Sequence, residues 1–330
     1  MTIRARNLNI LRQLQGAPLD HKIDFTIERL KRYYGGGNGS YISFSGGKDS
    51  MVLLDIVRRN KIGINPVFID TGLEYPEVRE IGYKYAFEVI KPKMTFKQVL
   101  DTYGYPVISK SQAMAIRKLT TQNLSEEYKN KLLHGDERGT AGKLSNKWHY
   151  LLEAPFKISE QCCDVMKKRP AHEFVKRILK ENRVVLTAIT AEMAEESMNR
   201  QNQYVKSGCF QNNQYPKFTP MGFWTEQDVL EYIYRYELPI ASIYGDIKKD
   251  WMGKYYLTGV KRTGCIYCML GVHLEPQPNR FQLMHDTHPK LYDYCINKLE
   301  LGKIMDYIEV DYKPYGAVVE QNDGQLRIIA

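Results

Sequence analysis

YISFSGGKDSMVLLDIVRR, residues 41–59, carries the change of local structure around which the rest of the chain can be arranged. Tyr41 to Ser45 read as a buried strand, Gly46-Gly47 breaks it, and from Lys48 the apolar residues fall at helical spacing. A strand that ends in Ser-Gly-Gly lets backbone N–H groups approach an anion without Cβ obstruction. The helix that follows points its positive end at that anion, and Lys48 adds a point charge. The loop is not of the GxxxxGK[ST] type, because position 42 is Ile and position 49 is Asp.

Outward from this loop, GGGNG at 35–39 reads as a connector, and the segment before it places Phe25, Ile27, Leu30 and Tyr34 on a helical face. NPVFIDTG at 65–72 supplies a second strand and VVLTAIT at 184–190 another. EVREIGYKYAFEV (77–89), VISKSQAMAIRKLTTQ (107–122) and EMAEESMNRQ (192–201) read as helices. WTEQDVLEYIYRY (224–236) is an amphipathic helix with Trp224 as staple and Thr225 as cap. Strands alternating with helices predict a doubly wound α/β parallel sheet covered on both faces, with ligands at the carboxyl ends of its strands. The expected division is a helical segment over 1–34, a nucleotide-binding α/β domain over 35–218 with a charged helical insertion near 122–160, and a smaller C-terminal region over 219–330.

The composition narrows the class. Of 330 residues, 43% are hydrophobic and 26% charged, with mean hydropathy −0.46, which is ordinary globular usage and excludes a disordered or collagen-like chain. A net charge of +9 favours an anionic partner, whether nucleotide, nucleic acid or acidic protein. No apolar run is long enough to span a membrane, and the opening MTIRARNLNILRQLQG lacks a secretory apolar core. Six cysteines are too few for a disulfide scaffold, so a cytoplasmic location is expected.

SGGKDS after a strand resembles the pyrophosphate loop of the ATP pyrophosphatase superfamily, whose fold is the adenine nucleotide alpha hydrolase-like (HUP) sheet. Asp70-Thr71-Gly72, followed by Pro76-Glu77, narrows the resemblance to the phosphoadenosine phosphosulfate reductase branch. PVISK (106–110), KKRP (167–170) and Glu196-Ser197 with Arg200 agree with it, so the similarity spans roughly 40–270. The resemblance implies that Ser43, Ser45, Gly46, Gly47 and Ser50 line the phosphates of ATP, that Lys48 neutralises them, and that Asp49 helps hold Mg²⁺. It adds Asp70, Thr71, Gly72 and Arg200 to the binding set, with Asp70 at a ribose or metal, or else capping the next helix. Lys167, Lys168 and Arg169 would offset the negative charge of a four-thiolate cluster, touch substrate phosphate, or form a solvated turn. Sulfonucleotide reductases lack the loop Lys and carry a Glu-Cys-Gly-Leu-His tail. This chain keeps Lys48 and ends in QLRIIA, which favours an ATP-using relative.

Cys162-Cys163 and Cys265-x-x-Cys268 form two pairs separated by 101 residues. Four thiols in a reducing compartment point to a metal, with zinc and an iron–sulfur cluster both open on ligand chemistry alone. The spacing resembles the [4Fe–4S] pattern of assimilatory adenylylsulfate reductases and of DNA phosphorothioation ATP pyrophosphatases, which implies a cluster on these four residues. Cys209 and Cys295 read as inert thiols, with a sulfur-carrying persulfide as the alternative for either, and His273, His285 and His288 as packed or surface residues. By the resemblance, ATP adenylylates an acceptor oxygen, pyrophosphate leaves, and a sulfur-donor protein such as a cysteine desulfurase supplies sulfur. Nucleic acid is the expected acceptor, in DNA phosphorothioation or tRNA thiolation. A reductase of adenylylsulfate or its 3′-phosphorylated form and a non-catalytic subunit that binds ATP and nucleic acid are the alternatives.

Overall fold

The computed structural model describes residues 2–35, 39–136, 142–182, 184–314, 318–320 and 326–328. Residues 36–38 of the glycine connector and 137–141 of the charged insertion lie outside them. The chain forms two compact units, Met1–Lys93 with Met166–Gly264, and Met94–Val165 with Cys265–Ala330. Its helices are α1 (Ile3–Gln15), α2 (Leu19–Gly35), α3 (Lys48–Arg59), α4 (Pro76–Tyr85), α5 (Phe96–Tyr103), α6 (Lys110–Thr121), α7 (Glu126–His134), α8 (Arg169–Asn182), α9 (Met198–Ser207), α10 (Glu226–Tyr236), α11 (Arg280–Thr287), α12 (Pro289–Asp293) and α13 (Leu301–Tyr307).

The first unit is built on six strands: β1 (Ser40–Phe44), β2 (Asn65–Ile69), β3 (Glu88–Ile90), β4 (Thr187–Ile189), β5 (Phe210–Gln211) and β6 (Lys217–Phe218), in the order β3-β2-β1-β4-β6-β5. All neighbours pair in parallel except β5, which runs antiparallel to β6 at the edge. In β1 both Tyr41 and Ile42 are buried, and in β2 Pro66, Val67 and Phe68 are buried in succession. Successive side chains on a strand point to opposite faces, so the sheet is covered on both. Phe174 and Val175 of α8 close one face over Tyr41 and Val67. From β1 the chain builds outward through β2 and β3 on one side and resumes with β4 on the other. The crevice beyond the carboxyl ends of β1 and β4 is therefore the switch point of the sheet.

Two expected helices end differently. The 77–89 helix stops at Tyr85, because Ala86 turns extended and the Phe87 amide donates to the Pro66 carbonyl at 2.8 Å, which turns the following residues into β3. The 192–201 helix is broken at Ser197, whose extended backbone and side chain cap α9 by accepting from the Arg200 amide at 3.3 Å. A further hairpin, β7 (Ile247–Lys249) with β8 (Tyr255–Leu257), follows α10 in this unit. Thr225 caps α10 in a capping box with Asp228, as the sequence predicts. Among the described residues, no helix is long and apolar enough to cross a membrane.

In the second unit, the short extended segment from Tyr105 to Ile108 joins two distant stretches. The Tyr105 amide donates to the Lys157 carbonyl at 2.8 Å, the Ser159 amide to the Tyr105 carbonyl at 3.0 Å, and the Gly271 amide to the Ile108 carbonyl at 2.7 Å. Gly104, with φ +104°, admits this crossing, since a Cβ there would lie 2.4 Å from the Lys157 carbonyl oxygen.

Candidate active site

The phosphate loop is held closed by its own hydroxyls. The Ser50 hydroxyl donates to the Gly47 carbonyl at 2.8 Å, accepts from the Ser45 amide at 3.3 Å and lies 3.0 Å from the Ser45 hydroxyl. The Gly47 amide donates to the Ser45 hydroxyl at 3.3 Å. Gly46 has φ +73° and passes so close to α4 that a Cβ would lie 2.4 Å from the Val78 carbonyl oxygen. α3 starts at Lys48 with no side-chain cap, and the Lys48 amide donates instead to the Tyr244 hydroxyl at 3.2 Å, which lies 2.6 Å from the Thr263 hydroxyl. Burial pushes the Tyr244 phenol up, so it remains neutral. The Lys48 side chain, 4% exposed, reaches Asp49 at 2.8 Å and Glu226 at 3.7 Å.

Two cavities open on this loop. The larger, about 670 Å³, lies at the switch point and is lined by Ser43, Ser45, Glu74, Lys167, Lys168 and Lys217 among others. Its size is within the ordinary range for small-molecule sites. The smaller, about 420 Å³, is lined by Gly47, Lys48, Asp49, Arg200, Arg262 and Glu226 among others, and shares Ser45, Thr263 and Gly264 with the first. The structure thus places Ser43 and Ser45 of the expected set on the larger cavity, and Ser45, Gly47, Lys48, Asp49 and Arg200 on the smaller. Arg200 is ion-paired there with Glu196 and lies 3.8 Å from Glu192.

Asp70, Thr71 and Gly72 line neither cavity. Asp70 accepts two hydrogen bonds from Arg79, at 2.8 and 2.7 Å, one from Tyr83 at 2.5 Å and one from the Gly72 amide at 3.1 Å. Burial alone would raise its carboxyl, but the Arg79 and Tyr83 hydrogen bonds hold it at about 2, below the ordinary 3.8. The Thr71 hydroxyl donates to Glu74 at 2.7 Å, which fixes the one carboxylate of this turn that does face the larger cavity. Because the Asp70 value is lowered on folding, the pair stabilises above about pH 4 and that contribution is lost as pH falls toward 2. Asp70→Asn is expected to cost about 1–2 kcal/mol near neutral pH, with Arg79 half exposed, and the gap from wild type should close toward pH 2. Denaturation midpoints across that range check it, and a gap that stays constant would contradict it.

Sequence reasoning missed Tyr244, Thr263, Glu226 and Arg262, which no local motif announces. Only the first-turn position of Glu226, after the predicted Thr225 cap, gave any signal.

The four paired cysteines all belong to the second unit, on the two stretches that Tyr105–Ile108 draws together. The Cys162 thiol is pushed far up by its hydrogen bond to Cys163, by burial, and by the charges of Cys163, Cys268 and Cys265. Burial raises Cys268, opposed by the Leu270 amide and by Arg280 and Lys110. The four thiols therefore share one electrostatic neighbourhood. Among the described residues no group of three or more His, Cys, Asp or Glu has the arrangement that holds a metal ion. Cys295 is buried, and burial pushes its thiol up to about 12.

A family model for the phosphoadenosine phosphosulfate reductase domain matches residues 40–142 and 117–270, well over half of the chain. The chain belongs to this family. The phosphate loop and all four paired cysteines of this PAPS reductase family member fall within the match. Among solved structures, the phosphoadenylyl-sulfate (PAPS) reductase from Candida auris, as its phosphate complex, is 18% identical over 72% of this chain and 95% of its own, with a TM-score of 0.36. The U34-tRNA thiolase NcsA from Methanococcus maripaludis with its [4Fe-4S] cluster is 12% identical over 88% of this chain and 80% of its own, with a TM-score of 0.35. Likeness at this level transfers no residue role. No curated protein matches the chain in sequence.

Proposed function

We propose that this PAPS reductase family member is an ATP pyrophosphatase that activates an acceptor for sulfur transfer. The observation that carries the reading is Lys48, buried at the start of α3 and lining the smaller cavity. A cation at the start of a helix suits the triphosphate of ATP. In the proposed reaction an acceptor oxygen attacks the α-phosphorus and pyrophosphate leaves. Sulfur from a donor protein such as a cysteine desulfurase, carried as a persulfide and brought to the sulfide level by a two-electron thiol reductant that is left as a disulfide, then displaces the adenylylated oxygen, which departs with AMP. Asp49 would hold the Mg²⁺ that accompanies ATP. With a net charge of +9, the chain suits a nucleic-acid acceptor, as in DNA phosphorothioation or tRNA thiolation.

Incubation with ATP and Mg²⁺ should yield AMP and pyrophosphate. Sulfite from adenylylsulfate or its 3′-phosphorylated form with a thiol donor, and no pyrophosphate, would instead establish a reductase. Nucleotide binding without either product would leave a binding subunit.

The donor chemistry of Cys162, Cys163, Cys265 and Cys268 suits an iron–sulfur cluster: four thiols share one neighbourhood, and the thiolates of Cys162 and Cys268 are disfavoured by burial and neighbouring thiols, a penalty that cationic iron would remove. A [4Fe–4S] cluster bound there would supply Lewis-acidic or redox-active iron. Protein purified without oxygen should absorb broadly in the visible and carry about four irons per chain. Cys163→Ser or Cys268→Ser should lose both, and a colourless protein with stoichiometric zinc would overturn the assignment.

A further inference from the structure

The chain has three tryptophans, and they are placed very differently. Trp148 and Trp224 are buried, at 7% and 0% exposure, whereas Trp251 is 91% exposed. It stands at the tip of the β7–β8 hairpin. The tip is rigidly built: the Asp250 carboxylate accepts from the Met252 and Lys254 amides at 2.9 and 2.8 Å, and the Gly253 amide donates to the Asp250 carbonyl at 3.0 Å. Gly253, at φ +79°, supplies the left-handed position that such a turn requires. Gln227 of α10 clips the stem through both backbone groups of Tyr255, at 2.9 Å each. These hydrogen bonds fix the backbone of the tip, so the point from which Trp251 projects into solvent is set before any partner arrives.

The residues around Trp251 define the partner. Lys248 pairs across the hairpin with Tyr256, and both are exposed. Lys249 stacks over Tyr255 at 4.6 Å on the other face, and Lys254 is exposed beside the tip. Alternating cations and aromatic rings match a single strand of nucleic acid, whose phosphates take the lysines while its unpaired bases stack on the rings. The base of the hairpin lies in the candidate active site. The Gly259 amide donates to the carbonyl of Tyr244, and Tyr244 and Thr263, which flank the stem, meet at the start of α3. At roughly 3.3 Å per residue, Trp251 stands on the order of 20 Å along the chain path from Tyr244.

We infer that the β7–β8 hairpin is a nucleic-acid arm that holds a single-stranded stretch by stacking on Trp251 and Tyr256, with Lys248 and Lys254 on its phosphates. The inference rests on the proposed function for the nature of the acceptor, but its test does not depend on turnover. The full-length protein is titrated with a single-stranded oligodeoxynucleotide, the RNA of the same sequence, and the duplex, with intrinsic tryptophan emission as readout. Since only Trp251 is exposed, the single strand should quench the red-shifted emission, and the tighter of the DNA and RNA arms names the polymer. Trp251→Ala should weaken binding roughly tenfold or more, and Trp251→Phe should keep most of it. Lys248→Gln with Lys254→Gln should lower the salt slope by about 1.4, roughly 0.7 for each phosphate contact on a single strand. ATP binding, followed by calorimetry, should be unchanged in Trp251→Ala. Absent ATP binding in wild type would refute the proposed function while leaving the oligonucleotide result legible. An unquenched Trp251, equal affinity in Trp251→Ala, or a preference for duplex would overturn the arm, as would an acidic protein partner bound through Trp251 without any oligonucleotide binding.

Discussion

Lys48→Ala is expected to lower pyrophosphate release from ATP by roughly 100- to 1,000-fold, the range seen when a single charge-stabilising group is removed from a transition state. The ammonium is almost wholly buried, and Asp49 and Glu226 lie 2.8 and 3.7 Å from it. Without it those two carboxylates would face the triphosphate with one cation fewer beside them, so the variant should bind ATP more weakly as well as turn it over more slowly. Stability should change by no more than about 1 kcal/mol, because both carboxylates are partly exposed and water can solvate them. That separation makes the experiment decisive. A variant that melts like wild type yet releases pyrophosphate within threefold of it would remove Lys48 from the chemistry.

Gly46→Ala should do comparable damage by a different route. The new methyl would meet backbone atoms of α4, 2.4 Å from the Val78 carbonyl oxygen and 3.2 Å from the Gly82 amide nitrogen, and neither can yield unless the helix moves. To this collision is added the strain of φ +73°, about 1–2 kcal/mol for an L-residue. A total loss of about 2–5 kcal/mol follows once overpacking is included, with nucleotide binding lost as the loop is displaced. Gly72→Ala is the matched control. Its φ of +70° is nearly the same, but nothing lies within 4 Å of the added carbon, so only the conformational strain should appear. Urea midpoints of the two variants isolate the collision, and equal shifts would show that α4 gives way.

Some parts of this molecule are legible from local sequence, although the helices expected over 77–89 and 192–201 end elsewhere. Strand, glycine turn and helix over 41–59 depend on neighbours in sequence, and so does the Thr225 cap. What escaped depends on distance along the chain. Tyr244 meets Lys48 across 196 residues, and a tyrosine without a motif carries no mark of such a meeting. Asp70 stands at the end of β2, where ligands bind in folds of this kind, yet Arg79 and Tyr83, one and two turns into α4, claim its carboxylate. Their positions, nine and thirteen residues on, put both on one helical face, a pattern available before folding but silent about what it would grip. The antiparallel β5 escaped because two residues are too few to show alternation.

The route of the chain through its second unit sets a timetable for biosynthesis. Cys162 and Cys163 emerge first, and a further 101 residues, most of them belonging to the other unit, must be made before Cys265 appears. At ordinary elongation rates that interval is roughly 5–20 s. For that time the nascent polypeptide holds two adjacent thiols without their counterparts, open to oxidation or stray copper. Insertion of any prosthetic group on all four must therefore wait until translation of this stretch is complete.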